Sequence, residues 1–293
     1  MTDPVGGAAA PGGDQGPQGP PVCPRHPDRE SYVRCQRCER PACPECQRPA
    51  AVGVHCVDCV REASRTGRQA RTAFGGQVRR GRPVVTLTLI GACVAVFLLQ
   101  MAVPQTTSDL AFAPFLGGVE PWRFLTAAFL HGSWIHIAFN MYVLFTIGTY
   151  LEQVLGRSRF AAVYLVAALG GSVGSLLLAS PGTTSWFQPS VGASGAVFGL
   201  FGALLVVQRK LRQNPGQIVV LILINGVIGF VVPNIAWQAH LGGLVTGAAL
   251  GAVMALAPQR VRTPVQLVGT GVVLLVLLVA AVAKLAATGY LAV

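Results

Sequence analysis

The sequence predicts an all-α polytopic membrane protein: a six-helix core plus a seventh C-terminal transmembrane helix, preceded by a small cytoplasmic zinc-finger module. Three observations carry this prediction. The 293-residue chain is 52% hydrophobic and only 11% charged, a membrane-protein balance. Seven apolar stretches long enough to cross a bilayer follow Pro83. Seven of the eight cysteines lie before residue 60, and 13 of the 22 basic residues lie between Arg25 and Arg82, so the polar and apolar parts are segregated along the chain.

Residues 1–22 are rich in Gly and Pro, with no cationic start and no apolar core, which predicts a disordered tail and not a signal peptide. Residues 23–59 read Cys23-x2-His26, Cys35-x2-Cys38, Cys43-x2-Cys46 and Cys56-x2-Cys59. Four pairs make eight ligands, enough for two tetrahedral structural Zn²⁺ sites. Disulfides are the weaker reading, because the topology below puts the cluster in the reducing cytoplasm. Iron–sulfur binding is weaker too, because a histidine and this pair spacing favour zinc. The short gap from Cys38 to Cys43 points to interleaving, with pairs one and three on one ion and pairs two and four on the other. Sequential pairing is the alternative, and His55, adjoining Cys56, is a rival ligand. The segment looks like a B-box-type finger. It is too short for a sizeable core, so metal supplies most of its folding energy. With every ligand position filled, no open site is left for catalysis. The module is expected to bind a cytoplasmic protein partner or to regulate the membrane part, with nucleic-acid binding the weaker reading.

Residues 60–83 form a basic linker, expected to be flexible. Arg61, Arg65, Arg68, Arg71, Arg79, Arg80 and Arg82 directly precede the first apolar span. Such a stretch sets topology and meets anionic headgroups, so the net charge of +11 calls for the lipid bilayer and not for nucleic acid. Cys93, inside that span, reads as a small apolar residue.

The spans fall at about 84–103, 132–152, 159–180, 193–209, 216–232, 236–257 and 265–288. Arg157 and Arg159, then Arg209, Lys210 and Arg212, then Arg260 and Arg262 occupy alternate loops on the side of the arginine-rich segment. The opposite side holds Arg123, with Lys284 near the end of span seven. The positive-inside rule then places the chain in the cell (inner or plasma) membrane with a cytoplasmic N-terminus and an outer C-terminus.

That topology brings polar residues to one depth. Ser194, His240 and His136 each stand about 22–25 Å of helix from the inner end of their spans. Asn140 lies one turn below His136 on the same face. Ionisable groups are costly inside a bilayer and are read as functional. A serine hydroxyl needs a base, and His240 is the one histidine of the apolar region outside span two and its approach. No carboxylate is placed to orient it: Asp109 and Glu120 lie in the first outer loop, and Glu152 lies at the inner end of span two. The expectation is a Ser–His dyad. Acyl transfer also needs oxyanion donors, available from the backbone at Ser194 near a helix N-terminus and from His136 and Asn140. Gly192, Ala193 and Gly195 leave room for a substrate backbone. Gly-x-Ser-Gly alone is a common helix-packing pattern; the joint pattern at one depth is the specific signal. Gly243, Gly247 and Gly251 repeat every four residues after His240 and are expected to pack span six tightly on span four.

These residues resemble the rhomboid family of intramembrane serine proteases over about 84–257, through Trp122-Arg123, His131, His136-x3-Asn140, Gly192-Ala193-Ser194-Gly195 and Ala239-His240-Leu241-Gly242-Gly243. The resemblance implies Ser194 as nucleophile and His240 as general base. It implies an oxyanion site of His136, Asn140 and the Ser194 N–H, a structural Trp122-Arg123 loop partly in the outer leaflet, and a supporting His131. No catalytic cofactor is implied. Substrates would be single-pass or polytopic membrane proteins, cut in or near a transmembrane segment, with a small residue before the cut and helix-weakening residues after it. Many bacterial members carry Tyr four residues after the serine; here Phe198 stands there, so a ring can still stack on the imidazole but lacks the hydroxyl. The seventh span resembles a variant with one extra C-terminal helix. Two other functions compete: a catalytically silent rhomboid-like binder of transmembrane helices, disfavoured because serine and histidine are both present, and a transporter with a zinc head, disfavoured because no internal repeat is found.

Overall fold

A computed structural model describes residues 19–66, 71–78, 81–232 and 235–291. Most of the expected tail (residues 1–18) lies outside the described residues, as do Arg68, Arg79 and Arg80. The chain divides between Gln69 and Ala70 into two compact units.

The N-terminal unit is built on two short antiparallel pairs, β1 (Val22–Cys23) with β2 (His26–Glu30), and β3 (Gln47–Pro49) with β4 (Val54–Cys56). Helix α1 (Val57–Thr66) follows. Its buried apolar residues are six cysteines and Ala42, with Cys38 and Val57 packed partly against them. Among the described residues this unit has no aliphatic core of useful size, and sulfurs fill its interior.

The second unit is helical. Its long helices are α2 (Val84–Ala102), α5 (Trp134–Leu155), α6 (Arg157–Leu178), α8 (Ser194–Lys210), α9 (Gly216–Val231), α10 (Trp237–Leu256) and α11 (Arg262–Thr288). Three short helices, α3 (Gln105–Leu110), α4 (Arg123–Thr126) and α7 (Thr184–Phe187), lie in the connections at one end of the bundle. The seven long helices match the seven expected spans to within a few residues. Five helical stretches are long and apolar enough to cross a membrane, whereas α8 and α9, at 17 and 16 residues, are shorter. Only 17% of the apolar window of α2 and 11% of that containing α11 are buried by protein. Exposed leucines and valines on this scale make a multi-pass membrane protein, whose outer surface meets lipid tails.

Helix α8 is the axis. Gly195 through Leu204 are buried without a break, enclosed by α5, α6 and α10. The reason is side-chain size. A Cβ on Gly243 would strike the Gly195 backbone, one on Gly247 would strike Gly199, and one on Gly251 would lie 2.8 Å from Ala203 Cα. The small residues at spacing four therefore face each other in step along α8 and α10. On its other side α10 reaches α6 just as closely, with Gly242 against Gly170 and Gly174. Close backbone contact of this kind is the main source of helix association where no water is expelled.

Two further features go beyond a bare bundle. Glu152, buried at the end of α5, accepts from the Val85 and Thr86 N–H groups at 3.1 and 2.8 Å and from the Thr86 hydroxyl at 2.8 Å. It caps the first turn of α2, where the helix dipole favours a carboxylate. The expected flexible linker is partly structured. Val57–Thr66 is helical, and within residues 71–78 Phe74 is buried in the helical core while Gly76 lies against the Leu155–Gly156 backbone. One aromatic side chain and two glycines suffice to dock a segment that its charge alone marks as solvated.

Gly247→Ala is expected to force α8 and α10 apart, costing about 1–3 kcal/mol of overpacking. A thermal unfolding midpoint in detergent below that of wild type checks it.

Candidate active site and metal centre

Three helix N-termini meet at one end of the bundle. Ser194 opens α8, His240 lies in the first turn of α10, and His136 in the first turn of α5. His240 Nε2 is 2.9 Å from Ser194 Oγ. The imidazole is fixed from its face by Phe198, stacked at 4.2 Å between centroids and 7° between planes. From its edge it is backed by Gly229 of α9, whose Cβ, if present, would lie 3.4 Å from Nδ1. His240 Nδ1 is buried and has no hydrogen-bond partner among the described residues. Glu152 lies at the opposite end of α5, where its oxygens meet α2, so it does not orient this ring.

The opposite wall is His136. Ser133 caps α5, its hydroxyl accepting the His136 backbone N–H at 3.2 Å. The Gly132 N–H donates to His136 Nδ1 at 3.4 Å. A neutral imidazole that accepts at Nδ1 carries its proton on Nε2, and that Nε2 faces the serine. A point one Cβ away from Gly192 lies 2.8 Å from His136 Nε2 and 3.7 Å from Ser194 Oγ. That space is open because Gly192 has no side chain, and its φ of +131° is one that L side chains rarely adopt. The loop before Ser194 is pinned by Gly192 N–H to the Ala127 carbonyl at 2.9 Å and by mutual backbone bonds between Ser190 and Phe112. Ala193, the N-cap residue, offers no side-chain acceptor, so the first N–H groups of α8 stay available as donors. Asn140 is buried and donates to the His136 carbonyl at 2.9 Å, one turn back. A cavity of about 770 Å³ opens on these groups, walled by α5, α6, α8, α9 and α10, with Phe139, Ile228 and Val232 among its apolar lining.

The supporting residues take distinct places. His131 is buried with its ring edge-on to His136 at 5.2 Å and both ring nitrogens unpartnered among the described residues. Its backbone N–H donates to Gln100 Oε1 at 2.9 Å. Arg123 is buried, bonded to Glu120 and to the carbonyls of Ser108 and Ala111 at 2.5 and 2.8 Å, and so ties the first connection together. Trp122 is exposed, its indole 3.4 Å from the Asp109 carbonyl. Gly195 faces Gly171 and Ala239, leaving α8 in contact with both neighbours. Sequence reasoning missed Ser133, Gly132, Gln100 and Gly229; only Ser133, a serine just ahead of an apolar run, carried a readable capping signal.

In the N-terminal unit the eight expected ligands form two groups, Cys23, His26, Cys43 and Cys46, and Cys35, Cys38, Cys56 and Cys59. This is the interleaved arrangement, and His55 belongs to neither group. His26 Nδ1 is 3.2 Å from Cys43 Sγ and 3.4 Å from Cys46 Sγ, and Cys38 Sγ is 3.7 Å from Cys56 Sγ. Ligands bound to one tetrahedral Zn²⁺ stand about 3.5–3.8 Å apart. All the cysteines are free thiols. Hydrogen bonding to the Cys43 backbone is the chief cause holding the Cys23 thiol down at about 6. Burial opposes ionisation of Cys35, but bonds to the backbone of Cys56, Arg37 and Cys38 bring it to about 6 as well. Burial, then neighbouring Cys23 and Cys43, push Cys46 up to about 11. A bond with Cys38, then burial, pushes Cys59 up to about 12. These residues could hold two metal ions.

The profile of the Rhomboid domain matches residues 118–257. The chain is 38% identical over 189 residues to "Rhomboid protease GluP" of Bacillus subtilis, covering 59% of this chain and 36% of that protein. It is 39% identical over 147 residues to "RHOMBOID-like protein 5" of Arabidopsis thaliana, covering 48% and 46%. To the B. subtilis protein named "Putative rhomboid protease YdcA" it is 33% identical over 189 residues, covering 61% of this chain and 92% of that one. The chain thus spans less than half the length of the first two of these relatives.

Metal removal by a chelator is expected to unfold the N-terminal unit and leave the helices of residues 70–293 folded, visible as loss of amide protection confined to residues 19–66 in hydrogen exchange. Cys35→Ser is expected to lower bound metal from about two ions per chain to about one, measured by elemental mass spectrometry.

Proposed function

Since the chain belongs to the rhomboid family, we propose that it is an intramembrane serine endopeptidase, cutting membrane proteins in or near a transmembrane segment with a Ser194–His240 dyad. The observation that carries this reading is the 2.9 Å contact of His240 Nε2 with Ser194 Oγ at the mouth of a cavity among five helices. In the proposed reaction His240 Nε2 takes the Ser194 proton as Oγ bonds to the scissile carbonyl carbon. The oxyanion forms where His136 Nε2–H, the Ser194 N–H and the second Asn140 amide proton can reach it. Collapse breaks the C–N bond, and the proton on His240 passes to the leaving amine. Water, deprotonated by the same imidazole, then releases the acyl group from Ser194. The apolar cavity wall suits a substrate segment arriving from the lipid. Among the described residues His240 Nδ1 has no partner, which supports a dyad; Phe198 supplies the stacking surface.

The remaining assignments belong to the same reading. The two ligand groups hold structural Zn²⁺ in a B-box-like module over 23–59, the linker covers 60–83, the protease core 84–257, and the seventh helix 258–293. The protein sits in the cell membrane with its N-terminus cytoplasmic and its C-terminus outside, as the distribution of arginines favours.

The test is cleavage in proteoliposomes of a single-pass peptide with alanine at the cut and Gly-Pro after it. Wild type is expected to cleave and Ser194→Ala to lose at least about 10³-fold. His136→Ala is expected to lose about 10²–10³-fold in kcat, the usual cost of an oxyanion donor. Wild type that binds the peptide as tightly as Ser194→Ala and cuts nothing would favour the silent helix binder.

A further inference from the structure

The end of the bundle opposite Ser194 holds a cluster of charge that the proposed protease chemistry does not use. Residues 71–78 dock there against the first turns of α6 and α11 and the last turn of α10. Gly75, with φ of +86°, makes room: a Cβ on it would stand 3.4 Å from Arg159 Nη2 and 2.8 Å from Arg262 Cδ. Arg71 and Arg262 both lie close enough to repel the charge on Arg159. The side chains of Arg159 and Arg262 therefore meet at Gly75, and Arg71 belongs to the same docked segment, near enough to act on Arg159. Their arrangement is built. Gln266, 3% exposed, donates to the carbonyls of Phe74 and Met254 at 3.2 and 2.9 Å, which turns its Oε1 to accept Arg159 Nε at 2.6 Å. Among the described residues the terminal nitrogens of Arg159 have no hydrogen-bond partner. Arg262 Nε is buried with no hydrogen-bond partner among the described residues.

Among its described residues, nothing in the second unit neutralises this cluster. Its only carboxylates are Asp109, Glu120 and Glu152. The first two lie in the connection at the far end of α2. Glu152 is occupied by Val85, Thr86 and Arg157, the last at 3.5 Å. Among the described residues none of Arg71, Arg159 and Arg262 has a carboxylate partner. Arg159 and Arg262 also stand in the first turns of α6 and α11, the positive ends of two helix dipoles. A fold that docks a segment to gather like charges, at two helix N-termini, is missing an anion. The donors converge from three chain segments, which a tetrahedral group with several acceptor oxygens satisfies better than a planar carboxylate.

We propose that this recess, bounded by Arg71, Arg159 and Arg262, binds a phosphate group, carried by a phospholipid headgroup or free in solution. The site stands independently of the catalytic reading.

The test uses the full chain in nonionic detergent at constant ionic strength, following the thermal unfolding midpoint against short-chain phosphatidylglycerol, short-chain phosphatidylcholine or inorganic phosphate. A saturable rise with phosphatidylglycerol and none with phosphatidylcholine is expected. Half-saturation should move about fivefold higher in Arg71→Gln and further in the Arg159→Gln/Arg262→Gln pair. It should not move in Arg260→Gln, an exposed arginine one turn away that carries the same charge change. Should the double variant fail to fold, Arg71→Gln alone decides, because Arg71 is exposed and outside any helix. Phosphate reproducing the rise assigns the site to a soluble anion; phosphate without effect assigns it to a lipid headgroup; either outcome supports the recess. Equal weakening in Arg260→Gln, or no saturable rise with either anion, overturns it.

Discussion

Everything at the serine depends on how closely two helix backbones can approach. Helices α8 and α10 touch through Gly195, Gly199 and Ala203 on one side and Gly243, Gly247 and Gly251 on the other, with no space for a side chain between them. In lipid there is little hydrophobic gain from pairing two apolar helices, so van der Waals contact over backbone atoms has to supply the attraction. The same spacing sets the register. With these small residues in step, the first turn of α10 falls beside the first residue of α8, and the His240 ring reaches Ser194. A larger residue anywhere in the seam would move both the packing and the site.

Around that axis the site is organised by hydrogen bonds that choose proton positions. Gly132 N–H on His136 Nδ1 puts the proton of that ring on Nε2, toward the serine. Ser133 fixes where the ring starts, by capping α5. His240 is treated differently: it is held by a stacked Phe198 and a glycine edge, with no acceptor on Nδ1 among the described residues. One histidine is thereby presented as a donor and the other as an acceptor to the serine, though both are imidazoles at the same end of the same bundle. The N-terminal unit solves the opposite problem. Its interior consists largely of sulfur, arranged in two groups that could hold metal ions.

Much of this is legible in the sequence because the membrane restricts what a residue can do. Apolar spans long enough to cross, and arginines in alternate loops, fix an order of helices, and the order brings Ser194, His240 and His136 to one end. Cysteine pairs with two-residue gaps are equally readable, and the short Cys38–Cys43 gap points to the interleaved grouping that the structure has. What is not legible depends on long-range fit. Phe74 between arginines reads as linker, and only the groove formed by α6, α10 and α11 gives it a place. Glu152 reads only as a carboxylate at the inner end of span two, yet it caps α2 some 67 positions away in the chain. The Gly132 bond that selects the His136 tautomer leaves no trace in residue type, because any residue has that N–H.

The most direct measurement is covalent labelling of the detergent-purified, metal-loaded protein with a fluorophosphonate, read by peptide mass spectrometry in wild type, Ser194→Ala and His240→Ala. The account predicts one adduct, on Ser194, lost in both variants. A folded wild type that takes no label, or one that labels as fast without His240, would contradict a serine activated by that imidazole.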